Sequence, residues 1–377
     1  MEYRNFEKIG VEASLLGFGT MRLPVLNGDA SKINEDEAIK MIRYAIDNGV
    51  NYIDTAYMYH DGNSEVTTGK ALKNGYREKV YLADKMPVWF AKSEEDIEKI
   101  FETQLKRLDV DCIDFYLIHN ITKQIWKIAK KYRLPDFLER KKSEGKIKYI
   151  GFSFHDSVDI FKEVIDSYPW DFCQIQFNYM DTHYQAGIEG LQYAASKNIP
   201  VIVMEPLKGG RLAKNPPEAV EKVWNSFPTK YSSAEWALRW IADFPEVKVI
   251  LSGMNTIKEV QQNINILRKM KPNTMSKEEH GLVDRAKAAF ADLIKVDCTA
   301  CNYCMPCPSK VNIPKIFSLY NEMFLYDTKD LTLRDYKMFV PKKQRPSACV
   351  ECGKCEEHCP QQLPIIQLLK EAEKVMK

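Results

Sequence analysis

Several features that would indicate a membrane, a secretory or a nucleic-acid-binding protein are missing from this chain of 377 residues. No apolar run reaches the roughly 18 residues that a membrane span needs. The first residues, MEYRNFEK, lack the apolar core of a secretory signal. The 54 basic and 52 acidic residues leave a net charge of +2, which is too small to indicate nucleic acid or an anionic membrane as a partner. We therefore expect a cytoplasmic protein that binds neither.

The chain also has no Gly-x-Gly-x-x-Gly segment, the motif that opens the first helix of many dinucleotide-binding sheets. Instead, short apolar runs alternate with amphipathic stretches between about residues 14 and 268. The eight runs lie at 14–18, 51–54, 80–83, 114–118, 149–152, 172–175, 201–204 and 249–252. Repeated strand–helix units require right-handed parallel crossovers. Eight of them predict a (β/α)8 TIM barrel, an α/β fold, and a doubly wound open sheet is the alternative.

Cysteine is distributed unevenly. Cys112 and Cys173 stand alone in apolar stretches and are expected to be inert, buried thiols. The other eight form two groups, each followed by proline: Cys298, Cys301, Cys304 and Cys307, and then Cys349, Cys352, Cys355 and Cys359. A disulfide framework suits short secreted chains, and structural zinc, which remains the alternative, usually takes two cysteine pairs. The second group has the C-x2-C-x2-C-x3-C-P spacing that holds [4Fe–4S] clusters in bacterial ferredoxins.

This spacing resembles that of two-cluster ferredoxins, in which the fourth cysteine of each group ligates the other cluster. The resemblance implies two ligand sets: Cys298, Cys301, Cys304 and Cys359 for one cluster, and Cys349, Cys352, Cys355 and Cys307 for the other. An internal repeat agrees with this pairing, because each Cys-Pro is followed by a second proline and an apolar helical pattern. We predict a barrel at 1–285 and a small ferredoxin-like domain with two [4Fe–4S] clusters at 286–377.

Four titratable residues follow three successive strands of the predicted barrel. They are Asp54 and Tyr59 after the second strand, Lys85 after the third and His119 after the fourth. Each alone has an ordinary explanation, such as a helix cap, loop packing, a solvated charge or an interior histidine. Barrel enzymes, however, carry their chemistry at the carboxyl ends of the strands. Four such residues at one mouth therefore predict a catalytic group.

From about residue 5 to 270 the chain resembles the aldo-keto reductase family. The resemblance rests on DTAYMY at 54–59, YLADK at 81–85, DFYLIH at 114–119 and GKIKYIG at 145–151. The opening LGFGTMRLP at 16–24, together with the cysteine tail, is similar to the branch of that family fused to a ferredoxin-like domain. The resemblance implies an oxidoreductase that reduces a small carbonyl substrate with hydride from a nicotinamide cofactor.

The resemblance also implies a role for each of the four residues. Tyr59 would be the general acid that protonates the carbonyl oxygen. Lys85, paired with Asp54, would lower the pKa of the tyrosine from its usual value of about 10. His119 would orient the carbonyl and share its developing charge.

Contacts with the nicotinamide cofactor follow from the same resemblance. They are Gly19, Thr20, Ser153, Gln174, Met204, Glu205, Pro206, Leu207, Ser252, Gly253, Met254, Glu259 and Asn263. Phe154 stands where the family usually has asparagine, and Met204 where it has an aromatic residue that stacks on the nicotinamide. The basic positions that grip a 2′-phosphate align with Gly253 and Glu259. Because a carboxylate repels a phosphate and can accept a ribose hydroxyl, NADH is slightly favoured over NADPH.

The two predicted domains differ in the number of electrons that they transfer. Nicotinamide delivers a hydride, which carries two electrons, whereas a [4Fe–4S] cluster passes one, and a flavin is the usual converter. We recognise no flavin-binding motif in the sequence, although the mouth of a barrel can hold a flavin. Three functions therefore remain open: carbonyl reduction with structural or redox-sensing clusters, electron transfer from a ferredoxin or flavodoxin carrier, or a catalytically silent binding barrel. The intact group of four residues argues against the last.

A basic segment lies between the two cysteine groups. Residues 334–346 contain Lys337, Lys342, Lys343 and Arg345. The segment is either a solvated loop or a docking patch for an acidic electron carrier.

Protein purified without oxygen is expected to contain about eight iron and about eight acid-labile sulfide per chain, because two [4Fe–4S] clusters account for all eight tail cysteines. Iron, sulfide and zinc are measured on the same sample. Bound zinc without sulfide would contradict the cluster prediction.

Overall fold

The structure, a computed structural model, describes residues 1–213, 216–298, 302, 304–359 and 361–376. Contacts divide the chain into two compact units. The first comprises Met1–Gly209 and Glu235–Ser276, and the second comprises Gly210–Ala234 and Lys277–Lys377. The sequence placed a single boundary at 285/286, whereas the contacts also assign the internal segment 210–234 to the second unit.

Eight parallel strands close the barrel of the first unit in the order β10-β3-β4-β5-β6-β7-β8-β9, and a two-stranded hairpin precedes them. The strands are β1 (Tyr3–Phe6), β2 (Val11–Ser14), β3 (Leu16–Gly19), β4 (Tyr52–Asp54), β5 (Tyr81–Met86), β6 (Ile113–Ile121), β7 (Ile147–Phe154), β8 (Phe172–Gln176), β9 (Val201–Met204) and β10 (Val247–Gly253). Each predicted apolar run overlaps one barrel strand. The predicted (β/α)8 barrel is confirmed.

The helices of the described residues are α1 (Glu35–Asp47), α2 (Asn63–Ala71), α3 (Glu94–Leu108), α4 (Lys123–Lys131), α5 (Leu134–Ser143), α6 (Val158–Asp166), α7 (Gly187–Ser196), α8 (Glu218–Asn225), α9 (Ser233–Ala242), α10 (Ile257–Leu267), α11 (Lys277–Ala291), α12 (Ile313–Leu325), α13 (Lys329–Phe339), α14 (Lys354–Glu357) and α15 (Ile365–Met376). The start of α3 shows how local sequence sets these bounds. The Ser93 hydroxyl accepts the backbone N–H of Asp96, and three acidic residues occupy the first turn, where the helix dipole favours negative charge. None of these helices is both long and apolar enough to cross a membrane.

The amino end of the barrel is closed by aromatic packing. Phe115 of β6 lies at its centre, with ring centroids 4.9–5.7 Å from those of five neighbours: Phe6, Tyr52, Tyr81, Tyr149 and Phe172. Phe6 of β1, together with Val11 and Ala13 of β2, brings the hairpin into the same apolar cluster as Phe115. Large rings therefore fill the amino end of the barrel, and the opposite, carboxyl end is the one at which barrel enzymes place their sites.

The second unit has its own apolar core. α12 and α15 supply much of it through Ile316, Phe317 and Leu369, and six of the tail cysteines pack against this core. Arg211, in segment 210–234, pairs with Glu322 of α12 at 2.9 Å and with Asp335 of α13 at 2.7 Å. These two ion pairs attach the internal segment to the helices of the cysteine tail.

Gly69→Ala is expected to lower the free energy of unfolding by about 1–3 kcal/mol, the usual cost of overpacking. A Cβ at Gly69 would clash with the backbone carbonyl of Leu108, so α2 and α3 would have to move apart. Gly281→Ala in α11 is the control, because the nearest atom to its new Cβ lies 3.7 Å away. It is expected to stabilise by about 0.5–1 kcal/mol through helix propensity. Thermal unfolding of both variants checks the contrast, and equal effects would contradict it.

Candidate active site and cluster cavities

The structure brings the four predicted catalytic residues together at the carboxyl end of the barrel. Asp54 is the last residue of β4 and pairs in register with Ala83, two residues before Lys85 of β5. The Lys85 ammonium donates to Asp54 Oδ1 and to the Thr55 carbonyl, both at 2.6 Å, and lies 3.5 Å from the Tyr59 hydroxyl. The ring of His119 lies edge-on to that of Tyr59, with centroids 6.2 Å apart.

Lys85 is fully buried, and its side chain remains a cation because of its partner. Burial by itself lowers the pKa of a lysine, but the negative charge of Asp54, with smaller effects from Tyr59 and Asp84, raises the pKa of Lys85 above its usual value. Asp54 is 3% exposed. The two groups therefore form a buried ion pair in which each charge stabilises the other.

The pKa of Tyr59 differs from the expectation set by the resemblance. Lys85 lowers it as expected, but burial raises it by more, and the pKa of Tyr59 lies above 10. The expected net lowering is therefore wrong. At neutral pH the phenol is protonated, which is the state from which a general acid acts.

His119 is kept neutral by its surroundings. Burial, together with the positive charge of Lys85 and the neighbouring His155, lowers the pKa of His119 well below 6.5. Its Nδ1 atom is buried and has no hydrogen-bond partner among the described residues. The Trp89 ring lies 5.2 Å from the imidazole. His119 therefore offers a ligand at the carboxyl end of the barrel an uncharged hydrogen-bonding group beside the Trp89 ring.

Arg107 of α3 holds the loop that carries Tyr59, a role that the sequence did not reveal. Its guanidinium donates to the Tyr57 carbonyl at 3.2 Å and to Glu65 at 2.8 Å, and it stacks 4.5 Å from the Tyr57 ring centroid. A Cβ at Gly62, where φ is +89°, would lie 2.7 Å from this guanidinium. The backbone conformation therefore favours glycine at this position, and any other residue would also displace the guanidinium of Arg107.

The backbone of Lys85 is held on both sides by buried polar side chains that the sequence analysis also missed. Asp84 Oδ1 accepts the N–H of Lys85 at 2.8 Å, and Gln104 Nε2 donates to its carbonyl at 3.0 Å. Asp84 also faces Glu65, and the second oxygen of each carboxyl group is buried without a donor in the part of the chain that the structure describes. Burial raises the pKa of both carboxyl groups, and it raises the pKa of Asp84 more than that of Glu65. A proton on Asp84 supplies the missing donor, which leaves the Glu65 charge for Arg107.

Two of the predicted cofactor contacts are neighbours on adjacent strands, since Ser153 of β7 pairs in register with Gln174 of β8. The Ser153 hydroxyl accepts the N–H of Asn120 at 2.8 Å. Gln174 Nε2 lies 3.3 Å from the Met204 sulfur, while its Oε1 is buried and has no donor among the described residues. This orphan acceptor fits an amide NH2 group such as that of a nicotinamide. Phe154, which stands where the family usually has asparagine, packs on Phe161, with ring centroids 5.1 Å apart.

Two further groups of predicted cofactor residues make contacts within the protein. Gly19 pairs in register with Gly253, and the Thr20 hydroxyl bonds to the Asp54 carbonyl at 2.9 Å, so Thr20 supports the end of β4. The amide of Asn263 donates to Ser252 at 2.9 Å.

The loop after β9, with the predicted contacts Glu205, Pro206 and Leu207, has an unusual backbone. Glu205 has a φ of +54° and pairs with Arg22 at 3.7 Å. Pro206 is buried and Leu207 is half-buried, and Met254, at the end of β10, is buried as well.

Glu259 is fixed at the start of α10 by two hydrogen bonds. The hydroxyl of Thr256, the N-cap residue, accepts the N–H of Glu259 at 3.2 Å, and Glu259 Oε2 accepts the N–H of Asn255 at 2.8 Å. The first bond satisfies one of the donors that a helix start leaves free, and the second ties the carboxylate to the residue before the cap. A carboxylate therefore occupies the helix N-terminus, where a phosphate would otherwise be favoured.

The cysteines of the second unit line two cavities. The first, which we call the Cys349 cavity, includes Cys307, Cys349, Cys352 and Cys355 in its lining. The second, the Cys298 cavity, includes Cys298, Cys304 and Cys359. Cys301 lies outside the described residues. Each cavity thus combines thiols of one cysteine group with the last cysteine of the other, and this donor set fits an iron–sulfur cluster.

Comparison with known proteins matches both parts of the chain. Residues 15–287 match the family described as aldo/keto reductase, and residues 297–363 match a 4Fe-4S dicluster domain. "Probable aldo-keto reductase 1" of Glycine max is 29% identical over 292 residues, which cover 68% of this chain and 82% of that protein. L-galactose dehydrogenase of Arabidopsis thaliana is 27% identical over 304 residues, covering 74% and 92%.

A solved structure agrees with these matches. The aldo-keto reductase AKR11C1 from Bacillus halodurans in its holo form is 25% identical to this chain and superposes with a TM-score of 0.63. The match covers 76% of this chain and 96% of that one.

Asp84→Asn and Glu65→Gln are expected to differ sharply in stability. Asparagine reproduces a protonated Asp84, so the free energy of unfolding at pH 7 should be unchanged or higher. The pKa of Asp84 is higher in the folded protein than in the unfolded chain. The free energy of unfolding of wild type therefore falls as the pH rises above about 4, the usual pKa of an aspartate. Asp84→Asn removes this pH dependence. Glu65→Gln removes the charge partner of Arg107, whose side chain is partly exposed and keeps its bond to the Tyr57 carbonyl, and should cost about 1–3 kcal/mol. Denaturant unfolding between pH 5 and 8 tests the pair, and a larger loss for Asp84→Asn would refute the assignment.

Proposed function

The chain belongs to the aldo/keto reductase family and carries a 4Fe-4S dicluster domain, and from this we propose that it reduces a small carbonyl substrate with Tyr59 as the general acid. An oxidoreductase activity follows from the family itself. The substrate class, the nicotinamide cofactor and the proton donor are our proposal. The observation that carries it is the contact of the buried Lys85–Asp54 pair with the Tyr59 hydroxyl.

Each of the four residues has a defined task in this proposal. A bound reduced nicotinamide would supply the hydride. Tyr59, protonated at neutral pH, gives its phenolic proton to the carbonyl oxygen. The cation of Lys85, 3.5 Å away, stabilises the phenolate that remains, and Asp54 keeps Lys85 charged. Neutral His119 donates a hydrogen bond to the carbonyl oxygen, which aligns the substrate and stabilises its growing negative charge.

The residues of the chain also favour one form of the cofactor. Gln174 Oε1 offers the carboxamide a buried acceptor that has no donor within the described ranges, and Ser153 lies on the neighbouring strand. Glu259 carries a fixed negative charge at the start of α10, which would repel a 2′-phosphate. We therefore propose NADH as the slightly preferred donor.

A single spectroscopic experiment tests the assignment. Visible spectra of anaerobically purified protein, recorded before and after NADH, reveal clusters, any bound flavin and whether NADH reduces either. A panel of small aldehydes and ketones is then assayed by NADH and NADPH oxidation. Turnover of a carbonyl without any flavin supports the proposal, whereas no turnover of any carbonyl with either nucleotide would overturn it.

Tyr59→Phe should lower kcat by about 10²–10⁴-fold, the usual contribution of a general acid, because it removes only the transferable proton. Lys85→Met should act in the same direction by leaving the phenolate without its cation. Tyr57→Phe, which keeps the ring stacked on Arg107, is the matched control and should retain activity. Steady-state kinetics and nucleotide binding are measured for all three. Wild-type turnover by Tyr59→Phe would exclude this chemistry.

Glu259→Gln is expected to raise kcat/KM for NADPH relative to NADH by about three- to tenfold, as expected for removing one solvent-screened charge from the vicinity of a phosphate. The amide oxygen of glutamine can still accept the N–H of Asn255, so the helix cap is kept. Glu278→Gln in α11 removes a surface carboxylate elsewhere and should leave the ratio unchanged. An unaltered ratio for Glu259→Gln would place the 2′-phosphate away from this residue.

We also propose that the Cys349 and Cys298 cavities hold the two [4Fe–4S] clusters with the crossed ligation predicted from the sequence. Bound clusters would supply one-electron chemistry. An electron-relay role is a second candidate, favoured by the exposure of Cys352 and of Val350 at the Cys349 cavity. A ferredoxin or flavodoxin would then be the partner.

A further inference from the structure

An exposed surface that is both apolar and positively charged adjoins the Cys349 cavity. It consists of Lys337, Met338, Phe339, Lys342, Lys343 and Val350, and we call it the basic patch. We propose that the basic patch binds a small, acidic ferredoxin, which exchanges single electrons at the Cys349 cavity. This inference rests on the proposed cluster assignment and goes beyond it by naming the surface and the partner.

The apolar part of the patch is unusually exposed. Val350 is 68% exposed and Met338 64%, the two highest values for large apolar side chains in the described part of the chain, and Phe339 is 53% exposed. Met338 and Phe339 are neighbours at the end of α13, and exposed large apolar groups of this kind are typical of protein–protein contacts. Phe339 is also held in place, because the Lys315 ammonium lies 5.3 Å from its ring centroid.

The charge of the patch is of one sign. Residues 336–350 contain four basic side chains and no acidic one. Lys337, Lys342 and Lys343 are exposed, and none has a carboxylate partner within the described ranges. The first acidic residue beyond them, Glu351, is paired with Lys370 at 2.8 Å. Unpaired positive charge around an apolar centre complements an acidic partner and steers its approach.

The patch is next to the Cys349 cavity. Val350 itself lines the cavity, between Cys349 and Cys352. The carbonyl of Gln344, next to Lys343, accepts the N–H of Asn312 at 3.0 Å. Asn312 is flanked by Val311 and Ile313, which line the same cavity. A protein bound on the patch therefore lies against the wall of this cavity.

The loop that carries the lysines is ordered by its own contacts. Arg345 stacks 4.9 Å from the Tyr336 ring centroid and donates to the Val340 carbonyl at 3.0 Å. Tyr336 and Val340 belong to the core of the second unit. Because the surface is formed before the partner arrives, binding loses little conformational entropy.

The electron transfer is balanced without a further reactant. A reduced ferredoxin loses one electron and is oxidised, and the protein gains that electron. No bond is made or broken and no proton moves. Because the attraction is between exposed charges, both binding and electron transfer should weaken as the ionic strength rises.

Charge reversal on the patch tests the proposal. Lys342→Glu/Lys343→Glu is compared with Lys222→Glu/Lys329→Glu, which makes the same change in net charge on exposed lysines of α8 and α13 in the same unit. The probe is a purified acidic ferredoxin. Its Kd for the full-length, cluster-loaded protein is measured by calorimetry at low and high salt. The patch variant should weaken binding by about tenfold or more at low salt, and the control by less than about twofold.

Met338→Asp tests the apolar part of the patch, and electron transfer provides a second readout. The rate at which reduced ferredoxin bleaches the cluster absorbance should fall with Kd. Reduced methyl viologen, which needs no docking surface, should reduce every variant equally. Equal effects of the two charge-reversal variants, or no ferredoxin binding by wild type at low salt, would overturn the docking proposal. Failure of the cluster assignment is distinct, because it would appear as missing iron and sulfide in wild type.

Discussion

The candidate site depends on one buried ion pair, between Lys85 and Asp54. The two groups come from adjacent strands, and the register of β4 against β5 brings their charges to 2.6 Å. Removing either partner would leave an uncompensated charge in the barrel, which costs about 3–5 kcal/mol in comparable cases. Asp84 and Gln104 hold the backbone of Lys85 from behind. Tyr59 belongs to the site because its hydroxyl lies next to this fixed cation.

Burial determines which groups of the site carry charge. It keeps the Tyr59 phenol and the His119 imidazole neutral at pH 7, while the ion pair keeps Lys85 positive. A single cation thus lies beside one proton donor and one neutral hydrogen-bonding group. This distribution suits a reaction that creates negative charge on a substrate oxygen, since the charge develops where a cation and an N–H group are already in place.

The second unit is built on a different constraint, the sharing of cysteines between two cavities. Cys307 follows the first group in sequence but lines the Cys349 cavity, and Cys359 lines the Cys298 cavity. A cluster bound in each cavity would fix the two halves of the tail to each other, because each cavity is lined by cysteines of both groups. The exposed Val350 lines the Cys349 cavity, and Lys342 and Lys343 precede it in the chain, without a carboxylate partner among the described residues. The unit therefore combines a buried shared core with one accessible, positively charged side.

The sequence by itself determined the features that depend on short spacings. Strands buried on both faces appear as continuous apolar runs, so the eight barrel strands were predictable, and so were the cysteine groups and the four residues at the strand ends. Which residues hold the site in place was decided only by the tertiary structure. Arg107 and Glu65 are 42 residues apart, and Gln104 and Lys85 are 19 apart, so no local pattern connects them. It also decided the pKa of Tyr59, because burial is a property of the whole packed barrel and outweighs the nearby lysine.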